Sequence, residues 1–210
     1  MSTAEVIIKR YSAEAADANL SCGGNIQYLE LKPGESVLDL GCGRGRETLQ
    51  AARAVGGEGS AWGVDITPGM IEAAQEAAQA VQVKNVAFLL APMEEIPLPD
   101  GSVNAIISNC AINHVADKAA VYREIYRLLK PGGRFVVSDI MTEQPLPSYI
   151  KEDPEAIADC FGGAITLKEY DTALAAAGFA AIEILKERHY PKNGFPMISR
   201  TFRSFKPPAE

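Results

Sequence analysis

The feature that most constrains the fold is a glycine-rich turn between a strand and a helix. Residues 36–40 read SVLDL, an apolar run typical of a buried strand, and the turn GCGRG follows at 41–45. A helical pattern then runs from Arg46 to Val55. Glycine adopts positive φ angles and lets a ligand approach the backbone closely. In an open parallel sheet such a turn lies at the carboxyl ends of the strands, where ligands bind. The turn therefore predicts an α/β fold with a ligand site beside it.

The same alternation of strand and helix continues along the chain. Four further strands are predicted at Ala61–Ile66, Asn85–Leu90, Val103–Ser108 and Arg134–Ile140. Helices are predicted between them, one capped by Thr67 and ending near Ala80, and another over Asp117–Leu129, which KPGG at 130–133 ends. This order predicts a Rossmann-like, doubly wound, mostly parallel sheet with helices on both faces.

The last third of the sequence is expected to complete the sheet. Thr166 and Glu169 form a capping-box pattern that predicts a helix ending at Gly178. Strands predicted at Ala181–Arg188 and near Met197–Ser204 would supply an antiparallel edge.

Length and charge narrow the class of protein. The 210 residues suit one domain, 1–210, with a helical cap over 1–35 and a lid over 141–165, where prolines interrupt regular structure. The net charge of -7 argues against binding to nucleic acid or to anionic lipid. No apolar run is long enough to span a membrane, and the first residues lack the layout of a secretion signal. A cytoplasmic protein that acts on a small molecule is expected.

Two aspartates at strand ends help to choose the ligand. Asp39 stands directly before the glycine turn, where a carboxylate would oppose a pyrophosphate but suit the sulfonium and ammonium charges of S-adenosylmethionine. The Gly-x-Gly-x-Gly spacing also differs from the dinucleotide pattern, although a nicotinamide or flavin cofactor stays an alternative. Asp65 has the position of a carboxylate that binds ribose hydroxyls. Ile66 and Met70 would pack on the adenine or, alternatively, belong to the core. Asp39 could instead be a helix-cap or turn residue, and Asp65 a solvated residue at the end of a strand.

The chain resembles the class I S-adenosylmethionine-dependent methyltransferases. The matching segments are VLDLGCGRG, GVDITPGMI, PMEEIPLPDGSV and LLKPGGRFVVSDI, in the family's order. The resemblance implies that Asp39, Gly41 and Gly43 contact the methionyl part of the cofactor and that Asp65 binds the ribose. It also places Met93 and Glu94 beside the adenine. Cys42 occupies a variable slot of this cofactor-binding loop as a small filling residue. Pro92 departs from the family, because many members have an acidic residue there that accepts from the adenine amino group.

Three cysteines bear on the methyl acceptor. Cys110 follows the fourth predicted strand, at the edge of the cleft, whereas Cys22 and Cys160 lie in the two segments expected to cover it. The sequence has no Cys-x-x-Cys pair, so a zinc site is not predicted. Three converging thiolates would bind a soft centre such as trivalent arsenic. The alternative is that all three thiols are small buried core residues.

The surroundings of these cysteines resemble the arsenite methyltransferases. The likeness covers residues 20–180 and includes LSCGG, ISNCAIN followed by DK, SDIMTEQPLP and DCFGGAITLKEY. It implies that Cys22, Cys110 and Cys160 are catalytic cysteines that bind the metalloid, with no separate metal site. The same cleft is expected to be lined by Asn109, Asn113 and His114. Asn109 is predicted to contact the cofactor. His114 interrupts a stretch expected to be more apolar.

The expected reaction is direct methyl transfer to the lone pair of arsenic, which needs no general base. Two alternatives remain at this stage. One is a methyltransferase that acts on carbon, nitrogen or oxygen of a small organic acceptor. The other is a protein that binds the cofactor and senses metalloids without turnover.

Overall fold

The computed structural model describes residues 2–15 and 24–209. Seven strands form one sheet in the order β3-β2-β1-β4-β5-β7-β6. The strands are β1 Ser36–Leu40, β2 Ser60–Asp65, β3 Val86–Leu90, β4 Val103–Asn109, β5 Leu129–Thr142, β6 Ile182–Lys192 and β7 Phe195–Phe205. Strands β1 to β5 are parallel, and β7 runs antiparallel to both β5 and β6. The predicted fold class is confirmed, and its antiparallel edge is the β6–β7 hairpin.

Seven α-helices connect and flank these strands in the described part of the chain. They are α1 Thr3–Glu14, α2 Arg46–Val55, α3 Pro68–Ala80, α4 Lys118–Leu128, α5 Ser148–Lys151, α6 Pro154–Ala158 and α7 Leu167–Ala176. Single 3-10 turns lie at Ile26–Leu29 and Ile112–His114. No helix within residues 2–15 and 24–209 has the length and apolar character needed to cross a bilayer.

The central strands are mostly apolar because helices cover both faces of the sheet. Val37 of β1 packs in a cluster with Ala51 and Val55 of α2 on one face. Leu38 belongs to the cluster of α4 and α7 on the opposite face, with Ile125 as one member. Successive side chains of a strand point to opposite faces. Asp39 therefore faces α2.

Strand order fixes where the cleft lies. The chain steps from β1 through β2 to β3 on one side and then returns to place β4 against the other side of β1. Neighbouring connections leave the sheet in opposite directions at this switch point, which opens a crevice at the carboxyl ends of the strands. Leu40 pairs with Ser108 at those ends. The residues after β1 and β4 thus form the two walls of the crevice.

Two local predictions were wrong in detail. Thr67 is the N-cap residue of α3, but its side chain makes no capping hydrogen bond; its backbone N–H instead donates to Asp65 Oδ1 at 2.9 Å. Helix α4 ends at Leu128, just before the KPGG segment at 130–133, as predicted; but β5 begins at Leu129, which pairs with Val103, and not at the predicted Arg134. The Gly132 N–H donates to the Lys206 carbonyl, so the strand continues past the glycines.

The cleft is covered by helix α1 and by the segment that contains α5 and α6. Helix α1 begins with a capping box between Ser2 and Glu5, and its Val6 and Ile7 pack on Ala158 of α6. Helices α5 and α6 lie within 141–165, the stretch predicted to be a lid. The predicted capping box of Thr166 and Glu169 is present at α7.

Candidate active site

A cavity of about 730 Å³ opens at the carboxyl ends of β1, β2 and β4. All the predicted site residues that the structure describes line it: Asp39, Gly41, Cys42, Gly43, Asp65, Ile66, Met70, Met93, Glu94, Asn109, Cys110 and Cys160. Asn113 and His114 line it as well. Cys22 lies outside the described residues. One cavity therefore contains both the predicted cofactor residues and two of the three predicted acceptor cysteines.

The glycine turn shapes one wall of this cavity in two ways. Gly41 has a φ of 69°, and a Cβ atom built on it would overlap the Ala111 side chain, so the turn passes too close for any other residue. Gly43 also has a positive φ, 50°, but nothing lies within 4 Å of where its Cβ would be. Close packing fixes Gly41, whereas Gly43 leaves room for a ligand against the backbone.

Asp39 is a buried carboxylate in this wall. It is 4% exposed and accepts a hydrogen bond from Thr48 Oγ1 at 2.6 Å. Burial raises the pKa of Asp39 to about 7; the Thr48 hydrogen bond opposes this, and the nearby charges of Glu47 and Asp65 add to it. No cation within the described chain is hydrogen-bonded to it. A ligand cation would therefore find a carboxylate whose ionised form lacks a positively charged partner.

Asp65 stands across the turn at the end of β2. Its two oxygens accept backbone N–H groups, one from Gly43 at 3.0 Å and one from Thr67 at 2.9 Å. Burial raises the pKa of Asp65, and these hydrogen bonds oppose the rise. Because each carboxylate oxygen has a second lone pair, Asp65 can still accept hydroxyl groups from a ligand.

Glu47 was not predicted, although it connects the cofactor wall to the segment before β1. Its Oε1 accepts the backbone N–H groups of Gly24, Asn25 and Ile26 at 3.0, 3.1 and 3.2 Å. Its Oε2 accepts from the amide of Asn109, whose oxygen accepts from the Asn25 amide. An acidic residue in the first turn of an amphipathic helix was the available signal, but such residues usually only complement the helix dipole.

The remaining wall of the cofactor end is apolar. Met70 of α3 and Met93 are buried, at 3% and 5% exposure, whereas Glu94 is exposed. Cys42 is buried beneath the turn, and its Sγ donates to the Gly43 carbonyl at 3.6 Å. Burial raises the pKa of the Cys42 thiol well above its ordinary value. This is the environment of a filling residue, as predicted from its slot in the loop.

Cys110 and Cys160 also line the cavity, and the Cys160 thiol lies against the backbone of Cys110. Cys160 Sγ donates to the Cys110 carbonyl at 3.0 Å and lies 3.2 Å from His114 Nε2. Both cysteines have left-handed backbones, with φ angles of 53° and 59°. Residues other than glycine rarely adopt this conformation, and when they do it is often at functional sites.

His114 joins this cysteine pair to helix α1. Its Nδ1 lies 3.0 Å from the Ile157 carbonyl, so this nitrogen carries the proton and Nε2 is the acceptor. Tyr11 Oη lies 3.2 Å from the same Nε2 and 3.3 Å from the Ala158 carbonyl. Burial lowers the pKa of His114 to about 4, which keeps the ring neutral. Tyr11 was missed because nothing local to the sequence links it to a histidine 103 positions away.

Asn113 is held in place by hydrogen bonds to β5. Its backbone N–H donates to Asp139 at 3.1 Å, and its amide donates to the Ile140 carbonyl at 2.7 Å. A Cβ atom at Gly163 would overlap the Asn113 carbonyl, so the segment that carries Cys160 packs directly on the 3-10 turn Ile112–His114 that follows β4. This close approach places the Cys160 thiol beside the Cys110 backbone.

Comparisons with known proteins agree with this geometry. The sequence profile of a methyltransferase domain family matches residues 31–178. The arsenite methyltransferase of Halobacterium salinarum is 41% identical over 82% of this chain and 44% of its own length. The human arsenite methyltransferase is 32% identical over 81% of this chain and 50% of its own. The chain thus spans about half the length of these curated relatives.

A solved structure is similar over nearly the whole chain. It is the arsenic(III) S-adenosylmethionine methyltransferase of Chlamydomonas reinhardtii, which is 29% identical and superimposes with a TM-score of 0.77. The match covers 95% of this chain and 74% of that one.

Proposed function

The chain belongs to the methyltransferase domain family, and on that premise we propose that it methylates trivalent arsenic bound by cysteine thiolates, with S-adenosylmethionine as the methyl donor. The observation that carries the proposal is that Cys110 and Cys160 line the cavity that also contains Asp39 and Asp65, with the Cys160 thiol 3.0 Å from the Cys110 backbone carbonyl. The arsenite methyltransferases among its relatives support the choice of acceptor.

The residues present fit the proposed cofactor. Buried Asp39 offers a negative charge to the ammonium group, and the open face of Gly43 leaves room for the methionyl chain. Asp65 has lone pairs left for the ribose hydroxyls, and the adenine would pack between Met70, Met93 and Ile66. When bound, S-adenosylmethionine supplies a methyl carbon on a positively charged sulfur, and the electrons of the broken carbon–sulfur bond stay on that sulfur.

The cysteines would hold the acceptor without a general base. Arsenous acid exchanges a hydroxyl group for each thiol: an arsenic–sulfur bond forms, and the thiol proton leaves with the hydroxyl as water. The lone pair of arsenic remains available as the nucleophile. Thiolates suit this soft centre. Cys160 is buried and its side chain is next to that of Tyr11, which would limit access of water to the bound acceptor.

The test separates acceptor binding from cofactor binding. Purified protein is incubated with arsenite, a thiol reductant and methyl-labelled S-adenosylmethionine, and methylated arsenic species are separated by chromatography and quantified by mass spectrometry. Methylation by the wild type is expected to fall at least about 100-fold in Cys110→Ser and Cys160→Ser, because a hydroxyl is a poor ligand for a soft centre. Affinity for S-adenosylhomocysteine should stay within about 2-fold of the wild type, because neither thiol belongs to the cofactor wall.

Two results would contradict the proposal. Wild-type protein that binds S-adenosylhomocysteine but yields no methylated arsenic would favour an organic acceptor or a binding protein without turnover. Serine variants that methylate arsenite at the wild-type rate would show that the cysteines do not hold the acceptor.

A further inference from the structure

One histidine nitrogen faces two hydrogen-bond donors that it cannot accept together. His114 Nε2 lies 3.2 Å from Tyr11 Oη and 3.2 Å from Cys160 Sγ. Its Nδ1 donates to the Ile157 carbonyl at 3.0 Å, so the ring has one acceptor lone pair, on Nε2. All three side chains line the cavity. The tyrosine hydroxyl and the cysteine thiol therefore compete for one acceptor.

Each of these donors has a second acceptor within reach. The Tyr11 hydroxyl lies 3.3 Å from the Ala158 carbonyl, and the Cys160 thiol lies 3.0 Å from the Cys110 carbonyl. Two arrangements thus give Nε2 a donor. The hydroxyl donates to Nε2 while the thiol donates to its carbonyl, or the thiol donates to Nε2 while the hydroxyl donates to its carbonyl.

Binding of the methyl acceptor removes one of the two donors. When the arsenic–sulfur bond of the proposed function forms, the Cys160 proton leaves with a hydroxyl group as water, and the sulfur has no proton to donate. We propose that Tyr11 is a positioning residue that donates to His114 Nε2 once arsenic is bound; the inference rests on the proposed function. Sulfur is a weak acceptor, so the hydroxyl donates to the nitrogen rather than to the sulfur.

This contact would fix the roof of the cleft over the bound acceptor. Tyr11 belongs to α1, which also reaches the cofactor end, where a Cβ atom built on Gly69 of α3 would lie 3.8 Å from Ser12 Cα. The Ala158 carbonyl belongs to α6 of the covering segment, whereas His114 belongs to the 3-10 turn after β4. Acceptor binding would thus tie α1 to the wall of the cleft.

The experiment is a double-variant cycle on arsenite binding. Equilibrium dialysis with saturating S-adenosylhomocysteine measures bound arsenic by mass spectrometry. Tyr11→Phe is expected to weaken arsenite binding about 10-fold, because Nε2 then faces a sulfur without a proton. His114→Leu removes the acceptor and leaves both donors their carbonyls, so it should bind arsenite within about 3-fold of the wild type, alone or combined with Tyr11→Phe.

The controls separate this effect from a general loss of structure. Tyr149→Phe removes the same hydroxyl at an exposed position of α5 and should bind arsenite as the wild type does. Affinity for S-adenosylhomocysteine, measured by calorimetry, should stay within about 2-fold of the wild type in every variant. A purely structural role for Tyr11 predicts instead that the double variant binds arsenite at least as weakly as Tyr11→Phe.

The outcomes distinguish this inference from the proposed function. Wild-type protein that binds S-adenosylhomocysteine but not arsenite would overturn both. Wild-type protein that binds arsenite, with Tyr11→Phe unchanged or not rescued by His114→Leu, would overturn the inference alone. Should Tyr11→Phe not fold, a wild-type crystal soaked with arsenite decides: Tyr11 Oη must lie within hydrogen-bond distance of Nε2, and a hydroxyl that stays on the Ala158 carbonyl instead would overturn the inference.

Discussion

Replacing Asp39 with asparagine should stabilise the ligand-free protein while weakening cofactor binding. The carboxyl is buried, and burial raises its pKa from 3.8 to about 7. Because the folded pKa lies above the unfolded value, the group costs stability as the pH rises through this interval. With about 1.4 kcal/mol for each pKa unit, the cost is about 2 kcal/mol near pH 5 and about 4 kcal/mol near pH 8.

Asparagine removes this cost because it stays neutral. Its amide oxygen can still accept from Thr48 Oγ1, as the carboxylate does. Its buried amide N–H groups have no acceptor, which costs about 1–3 kcal/mol of stability and offsets part of the gain. The net gain near pH 8 is then about 1–3 kcal/mol, or about 2–12 °C in Tm for a chain of this size. Near pH 5 the gain should vanish.

The assay is thermal unfolding of wild type and Asp39→Asn across this pH range, with S-adenosylhomocysteine affinity measured by calorimetry. Affinity should fall about 10- to 100-fold, because the ammonium group loses its charged partner. Asp171→Asn, the same charge change at an exposed position of α7, should alter neither quantity. A Tm difference that does not depend on pH, or wild-type affinity in Asp39→Asn, would refute the reasoning.

Three further predictions concern the residues around the cleft. Cys160→Gly should melt about 2–4 °C above Cys160→Ala, since both lose the thiol but only glycine tolerates the φ of 59° without a cost of about 1 kcal/mol; equal Tm values would argue against backbone strain. His114→Gln should remove a pH dependence of about 2 kcal/mol between about pH 7 and pH 5, because the folded pKa of about 4 lies below the unfolded value and stability is lost as the pH falls; parallel pH curves of Tm would contradict this. Glu47→Gln should weaken S-adenosylhomocysteine binding, because the new side-chain amide N–H group would face the amide N–H group of Asn109 and neither can accept. Adding Asn109→Asp should restore binding, because its carboxylate can accept from that amide. A double variant that binds no better than the single one would exclude this contact as the cause.

Much of the fold could be predicted because its signals are local. Helix α2 has the predicted bounds, since an apolar stripe begins at a glycine turn and ends at Gly56. The capping box that opens α7 was equally local, because Thr166 and Glu169 are three residues apart. The start of β5 was not, because Leu129 becomes a strand residue only by pairing with Val103 of another strand.

The candidate site likewise contains residues that local sequence signals predict and residues that only long-range contacts reveal. Asp39 and Asp65 could be found from sequence because the end of a parallel strand in an open sheet is already a position at the ligand crevice. Glu47 and Tyr11 could not, because their roles depend on which groups the folded chain brings to them. A carboxylate that accepts three backbone N–H groups and a guanidinium nitrogen without an acceptor look alike in sequence, as charged residues near a glycine turn. Only the hydrogen bonds of the folded chain separate them: Glu47 accepts from the segment before β1 and holds it in place, whereas Arg44 Nη1 has no acceptor among the described residues.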